Sequence, residues 1–342
     1  MSEPITTSAN PINPINPTKI VITDCDHDSI DIERAVAEAA GAELVLAQCR
    51  TEEEVVTAAA GADAIVVQYV PITAKVLDAL PGLKAIGRYG VGVDTLDVEA
   101  ATARGVAICN VPDYGTEDVS DHAIALAVSL ARGITQLDRG VRRGDYSLGP
   151  VQPLHRISGR VFGVVGLGLI GAATGRKAKG LGYEVIGSDP LLTPGSVTED
   201  GITVVGFEDL IARADVISLH VPLNQYTHHL INSEVLGKVK PGAVLVNTCR
   251  GGVVDTDAVA ASLKDGRLHA AGLDVFEVEP LPRTSPLLGV ENAVLTPHAA
   301  WYSEESYAEL KRRTVENVVE VCAGRTPRNI LNSEVLNGSV PA

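Results

Sequence analysis

The chain has 342 residues, a formal net charge of −15 and only 4% aromatic residues. That length suffices for about two domains, each with a sizeable core. The acidic balance disfavours direct binding of nucleic acid or an anionic membrane surface, and no apolar run approaches the roughly 18 residues of a membrane helix. Five cysteines (Cys25, Cys49, Cys109, Cys249 and Cys322) with no CxxC or Cys/His cluster fit free thiols in a reducing compartment and no zinc site. The N-terminus lacks a basic segment followed by an apolar one, so the expected setting is the cytoplasm.

Residues 1 to about 17 are rich in Ser, Thr, Asn and Pro, with a repeated Pro-Ile-Asn, and predict a disordered tail. From Lys19 short apolar runs alternate with amphipathic stretches. Strands are expected at Lys19–Thr23, Leu44–Ala47, Ala64–Val67, Ala85–Arg88 and Val106–Cys109, and helices at Ile32–Ala40, Glu53–Ala60, Ala74–Ala79 and Val98–Ala103. Such alternation predicts βαβ units and a parallel sheet. A turn at Pro112–Thr116 leads into a long helix, Val119–Arg132, and Pro150–Pro153 marks a loop.

A second α/β set opens at Arg160. The apolar run Val161–Val165 reads as a buried parallel strand and runs straight into Gly166-x-Gly168-x-x-Gly171, with a helix from about Ala172 to Lys179. Strand, glycine turn and helix in that order are the context of the dinucleotide fingerprint: one glycine for the turn, one for close approach to a diphosphate, one for helix packing. The helix N-terminus offers N–H groups and partial positive charge to phosphates. The next strand, Tyr183–Asp189, ends in an acid 18 residues past Gly171. An acid there accepts ribose hydroxyls and repels a 2′-phosphate, which favours NAD over NADP. Further strands are expected at Val216–Leu219, Ala243–Asn247, Ala270–Asp274 and Ala293–Leu295, helices at Phe207–Ala212, Ser233–Val239 and Asp255–Lys264, and a last helix at Ser303–Val321 returning to the first domain. The expected architecture is α/β with two domains, each a parallel sheet flanked by helices. Residues 18–117 and 302–335 form a discontinuous, flavodoxin-like substrate domain, and 118–301 a Rossmann NAD domain inserted in it. The cleft between domains is the default place for an active site.

Ligands of open α/β sheets gather at the carboxyl ends of strands. Asp274 ends a predicted strand of the second set, and Arg250, Glu279 and His298 follow such strands. Each alone is an ordinary loop residue; together, beside a dinucleotide loop, they suit hydride transfer between NAD(H) and a 2-oxo or 2-hydroxy acid. His serves as proton donor and acceptor near neutral pH, with a carboxylate such as Glu279 to orient it. Arg holds a substrate carboxylate through paired hydrogen bonds. The nicotinamide carries the hydride, so no metal is required.

Three segments carry a resemblance: Asn247-Thr-Cys-Arg250-Gly-Gly-Val-Val-Asp255, Gly272-Leu-Asp274-Val-Phe-Glu-Val-Glu279-Pro280 and Leu295-Thr-Pro-His298. They resemble the signatures of the D-isomer-specific 2-hydroxyacid dehydrogenases, and the similarity runs from about Lys19 to Arg325. The resemblance implies Arg250, Glu279 and His298 as the catalytic set, Asp274 against the nicotinamide amide, and a homodimer built through the NAD domains, with the helix from Val119 at the interface. The implied NAD(H) site comprises Gly166, Gly168, Leu169, Ile170, Gly171, Asp189, Val221, Pro222, Thr227, Thr248, Cys249, Asp274 and His298. Ile86-Gly-Arg88-Tyr89-Gly90-Val91-Gly92-Val93-Asp94 resembles the family's substrate loop. The N–H groups of Val91 and Gly92 are expected on the substrate carboxylate, with Arg88, Tyr89 and Trp301 also in the pocket. His298-Ala-Ala-Trp301-Tyr-Ser is similar to the C-terminal-binding-protein branch, although the corepressors of that branch carry Ser where this chain has Val91. The resemblance thus implies a 2-oxoacid reductase. Its alternatives are an NAD(H)-sensing scaffold of that branch and a phosphoglycerate dehydrogenase.

Overall fold

The structure, a computed structural model, describes residues 17–337. The tail expected over 1–17 lies, apart from Pro17, outside the described residues. Two compact units divide the chain: one from Met1–Val111 with Ala308–Ala342, the other from Pro112–Tyr307. No helix of the described residues is long and apolar enough to cross a membrane.

In the first unit β1 (Lys19–Ile22), α1 (Asp31–Ala39), β2 (Glu43–Leu46), α2 (Glu52–Ala58), β3 (Ala64–Val67), α3 (Ala74–Ala79), β4 (Ala85–Arg88), α4 (Val98–Ala103) and β5 (Ala107–Cys109) alternate without interruption. The strands pair in parallel in the order β2-β1-β3-β4-β5, the flavodoxin-like order. Val21, Ile65, Val67, Ile86 and Ile108 bury one face of the sheet. The runs Ile20–Ile22, Ala64–Val67 and Ala107–Cys109 are apolar and buried because both faces of the sheet are covered there.

The second unit comprises α5 (Thr116–Ala131), α6 (Ile134–Arg142), β6 (Val161–Val165), α7 (Leu169–Gly180), β7 (Glu184–Ser188), β8 (Thr203–Val204), α8 (Phe207–Arg213), β9 (Val216–Leu219), α9 (Ser233–Lys238), β10 (Ala243–Asn247), α10 (Thr256–Lys264), β11 (Leu268–Leu273) and β12 (Ala293–Leu295). Its sheet is again parallel, in the doubly wound order β12-β11-β10-β9-β6-β7-β8. Phe162 and Val164 pack with Leu126 and Leu130 of α5 on one face, while Val165, Ile217 and Leu245 pack with Leu210 and Leu236 on the other. Neither α6 nor β8 was expected from the sequence. A two-residue edge strand carries no readable alternation, and α6 contains Gly140 and is separated from α5 only by Arg132 and Gly133, the latter in a left-handed turn (φ +62°).

The last helix, α11 (Glu304–Cys322), belongs to the first unit from Ala308 onward. A Cβ at Gly87 of β4 would lie 2.9 Å from Val318 Cγ1 and 3.1 Å from the Thr314 carbonyl oxygen, so the glycine lets helix and strand meet. Asn317 donates to the Asn110 carbonyl at 3.1 Å and fixes the helix against the end of β5.

Candidate active site

The ladder of the second sheet is level at its carboxyl edge. Val165 pairs with Ser188 and Leu219, Leu219 with Asn247, Asn247 with Leu273, and Leu273 with Leu295. The loops leaving this one row carry Gly166, Asp189, His220, Thr248, Asp274 and Thr296. They straddle the point between β6 and β9 where strand order reverses, the usual ligand crevice of an open sheet.

The glycine loop has the shape a dinucleotide needs. Gly166 has φ +90°, and a Cβ there would lie 2.4 Å from the His220 carbonyl oxygen. A Cβ at Gly171 would lie 1.9 Å from the Gly166 carbonyl oxygen, so only glycine lets α7 start this close to the strand. At Gly168 nothing lies within 4 Å, and no side chain caps α7 there. Its first N–H groups are therefore available to an anion. Leu169 and Ile170 form the first turn. The Asp189 carboxylate sits beside this loop and accepts from the Leu167 and Leu191 N–H groups, both at 2.9 Å. Thr248 Oγ1 is buried with no protein partner, a polar atom suited to a ligand's polar edge. Cys249 turns its N–H and its thiol to Asn247 Oδ1, both at 3.1 Å. Val221 packs on Gly166, and the Pro222 carbonyl accepts the Thr227 hydroxyl at 2.5 Å.

Across the same edge, His298 Nδ1 and Glu279 Oε2 lie 2.8 Å apart. Glu279 Oε1 also accepts from the Phe276 N–H at 2.9 Å. Burial presses the Glu279 pKa upward, but the hydrogen bonds from His298 and Phe276 and the charges of His298 and Arg250 outweigh it and hold it below the ordinary value. Arg250 is thus within electrostatic range of the pair. Its loop is set by Asn247, whose Nδ2 donates to the Arg250 carbonyl at 2.9 Å. Gly251 packs directly on the next loop: a Cβ would lie 1.8 Å from the Phe276 carbonyl carbon. His298 itself has φ +53°, a left-handed conformation uncommon outside glycine.

With this geometry in view, comparison with known proteins is decisive. Residues 124–300 match the family model described as "D-isomer specific 2-hydroxyacid dehydrogenase, NAD binding domain". The chain belongs to that family. It is an NAD-dependent oxidoreductase acting on CH–OH donors. The chain is 42% identical over 274 residues to a glyoxylate reductase of Korarchaeum cryptofilum, covering 79% of this dehydrogenase and 82% of that protein. It is 37% identical over 318 residues to a D-3-phosphoglycerate dehydrogenase of Methanocaldococcus jannaschii, covering 92% of this chain but 59% of the relative. Among solved structures it resembles a glyoxylate reductase from Paecilomyces thermophila, with a TM-score of 0.84 at 28% identity over 94% of this chain and 99% of the other.

Two expected site residues of the dehydrogenase turn inward. Asp274 is fully buried, and its carboxylate accepts from Thr296 Oγ1 (2.5 Å) and the Ala299 and Ala300 N–H groups (both 3.0 Å). These three bonds shape the His298 loop. Tyr89 was expected in the substrate pocket but is only 3% exposed, its hydroxyl donating to Glu33 at 3.0 Å within the first unit. Its ring packs edge to face on His27, 4.6 Å between centroids, in the buried interior of the first unit.

Val91 is exposed, and the Arg88 guanidinium folds back onto the Tyr89 carbonyl. The Gly90 carbonyl accepts from the Val111 N–H at 3.0 Å and the Val91 carbonyl from Asn110 Nδ2 at 2.6 Å. In a trans peptide N–H and C=O point oppositely. The Val91 and Gly92 N–H groups therefore face away from Val111 and Asn110. Trp301 lies just before α11 among Tyr114 (6.4 Å between centroids), Tyr302 (5.6 Å) and Tyr307 (5.8 Å).

Sequence reasoning missed His122, which meets Thr296 Oγ1 at 3.0 Å beneath the His298 loop. A contact across 174 residues leaves no local mark. It also missed Asn247, which was findable: Asn at a strand end bonds the backbone two residues on and starts a turn.

Proposed function

We propose that the protein reduces a small 2-oxoacid to its D-2-hydroxyacid with NADH. The observation that carries this reading is the His298–Glu279 pair at 2.8 Å, in electrostatic range of Arg250 and on the same sheet edge as the glycine loop. NADH, when bound, supplies the hydride. His298 holds a proton at Nε2 for the carbonyl oxygen, and Glu279 at Nδ1 fixes the orientation of the ring. Arg250 polarises the carbonyl and binds the carboxylate. The Val91 and Gly92 N–H groups bind the same carboxylate, with Arg88 nearby. Asp274 orders the His298 loop, and Trp301 limits the side chain. Asp189 accepts the ribose hydroxyls and favours NADH over NADPH.

Glyoxylate is the first substrate to try, because the 42%-identical relative that aligns over 82% of its length is named for it. The run His298-Ala-Ala-Trp301-Tyr-Ser supports a place near the C-terminal-binding-protein branch. A homodimer is part of the proposal: Ile134, Val141, Tyr146 and Leu148 are all exposed on and just after α6 of the NAD unit. The five free cysteines support a cytoplasmic setting.

The test is NADH oxidation with glyoxylate, hydroxypyruvate, phosphohydroxypyruvate and apolar 2-oxoacids, run beside NADPH. Turnover with NADH is expected, and Arg250→Ala should lower kcat/KM by roughly 10²-fold or more while NADH binding survives. Near-normal turnover by Arg250→Ala would sink the role assignment. NADH binding without turnover on any oxoacid would replace the enzyme by an NAD(H)-sensing scaffold, and preference for phosphohydroxypyruvate by a phosphoglycerate dehydrogenase.

A further inference from the structure

We infer that Glu33 is a positioning residue for the substrate-carboxylate loop, acting through the Tyr89 hydroxyl. The inference rests on the reading that Val91 and Gly92 bind the carboxylate. Glu33 lies on α1 and is fully buried in the first unit. Its Oε1 accepts from Tyr89 Oη at 3.0 Å and meets His27 Nδ1 at 3.1 Å, while Oε2 lies 3.6 Å from Lys311 Nζ on α11. The His27 and Tyr89 rings meet edge to face, 4.6 Å between centroids at 74°. Lys311 also donates to the Ser29 carbonyl. Four segments of the chain converge on one carboxylate.

A buried carboxylate and ammonium are costly unless paired and hydrogen-bonded, and apolar side chains of similar size would hold a core at least as well. What this cluster adds is direction. Tyr89 immediately precedes Gly90-Val91-Gly92, and Gly90 has φ +130°, a conformation that leaves the loop's path open to error. The Tyr89 N–H is fixed on the Val67 carbonyl at 3.0 Å, and the Gly90 and Val91 carbonyls are fixed on Val111 and Asn110, just after β5. The ring is the remaining freedom at the loop's start, and Glu33 removes it. Glu33 therefore sets the direction of two N–H groups without touching the substrate.

The experiment compares Tyr89→Phe, which keeps the ring and loses the hydroxyl, with Glu33→Gln, which keeps the shape and loses the charge. Both should raise KM for the oxoacid by about three- to tenfold, the scale of one hydrogen bond, with kcat and NADH affinity unchanged. Amide hydrogen exchange at Gly90–Val93 should be faster in both. Should Glu33→Gln fail to fold, Tyr89→Phe still decides. Unchanged KM in Tyr89→Phe, or a fall in kcat and melting temperature with KM constant, overturns the inference and leaves the cluster a plain structural one. If the wild type turns over no oxoacid, the reading of function has failed instead. The exchange measurement then stands alone, and unchanged protection at Gly90–Val93 overturns the positioning role.

Discussion

His298 sits at φ +53° because three bonds hold its loop there: its own N–H on the Asp274 carbonyl at 2.7 Å, and the Ala299 and Ala300 N–H groups on the Asp274 carboxylate. His and Asn tolerate that conformation far better than β-branched residues. His298→Asn is therefore the clean removal of the imidazole. In the proposed reaction Glu279 ranks next to it. Glu279→Gln is expected to lower kcat/KM by on the order of 10²-fold, within the usual range for general acid–base catalysis. Its stability effect has a definite sign. The folded-state pKa of Glu279 is depressed, so its contribution is present above the unfolded carboxylate value of about 4.3 and is lost as pH falls through the folded value. The gap in melting temperature between wild type and Glu279→Gln should be widest near neutrality and close in acid. A gap independent of pH would remove the ion pair from the account.

Between elements, the glycine loop separates packing from binding. Gly171→Ala forces a Cβ to within 1.9 Å of the Gly166 carbonyl oxygen. A loss of roughly 1–3 kcal/mol is expected from such overpacking, together with weaker NADH binding. Gly168→Ala meets nothing within 4 Å, so its melting temperature should hold while its NADH affinity falls. Thermal melts with and without NADH measure both, and an unaffected affinity in Gly168→Ala would place the diphosphate elsewhere. Elements of this kind were legible in the sequence. Strands such as Ala64–Val67, Val161–Val165 and Ala243–Asn247 are short apolar runs that end at glycine or polar residues. The meeting of Glu279 and His298 was legible by the same logic, since each follows such a run. The inward turn of Tyr89 was not: it depends on Glu33, 56 residues earlier, and on Lys311 near the other end of the chain. Nor was that of Asp274, whose carboxylate partners lie 22 to 26 residues onward.

For the whole molecule, the proposed dimer makes a surface prediction. Tyr146 is 88% exposed and Leu148 58% exposed, an unusual outlay of apolar surface beside α6. Tyr146→Glu with Leu148→Glu should shift sedimentation from dimer to monomer and leave the isolated glycine loop intact. A wild type that already sediments as a monomer would discard the interface.

The discontinuity of the first unit also orders events during synthesis. The bond from Asn317 to the Asn110 carbonyl spans 207 residues, and α11 must be made before Gly87 is covered. The nucleotide unit, by contrast, is one uninterrupted stretch, Pro112–Tyr307. Domains fold as units while the chain emerges from the ribosome. The cofactor half is thus complete in the nascent chain while the first sheet, begun earliest, still lacks its covering helix. A chain that stalls late exposes the older sheet, not the newer one.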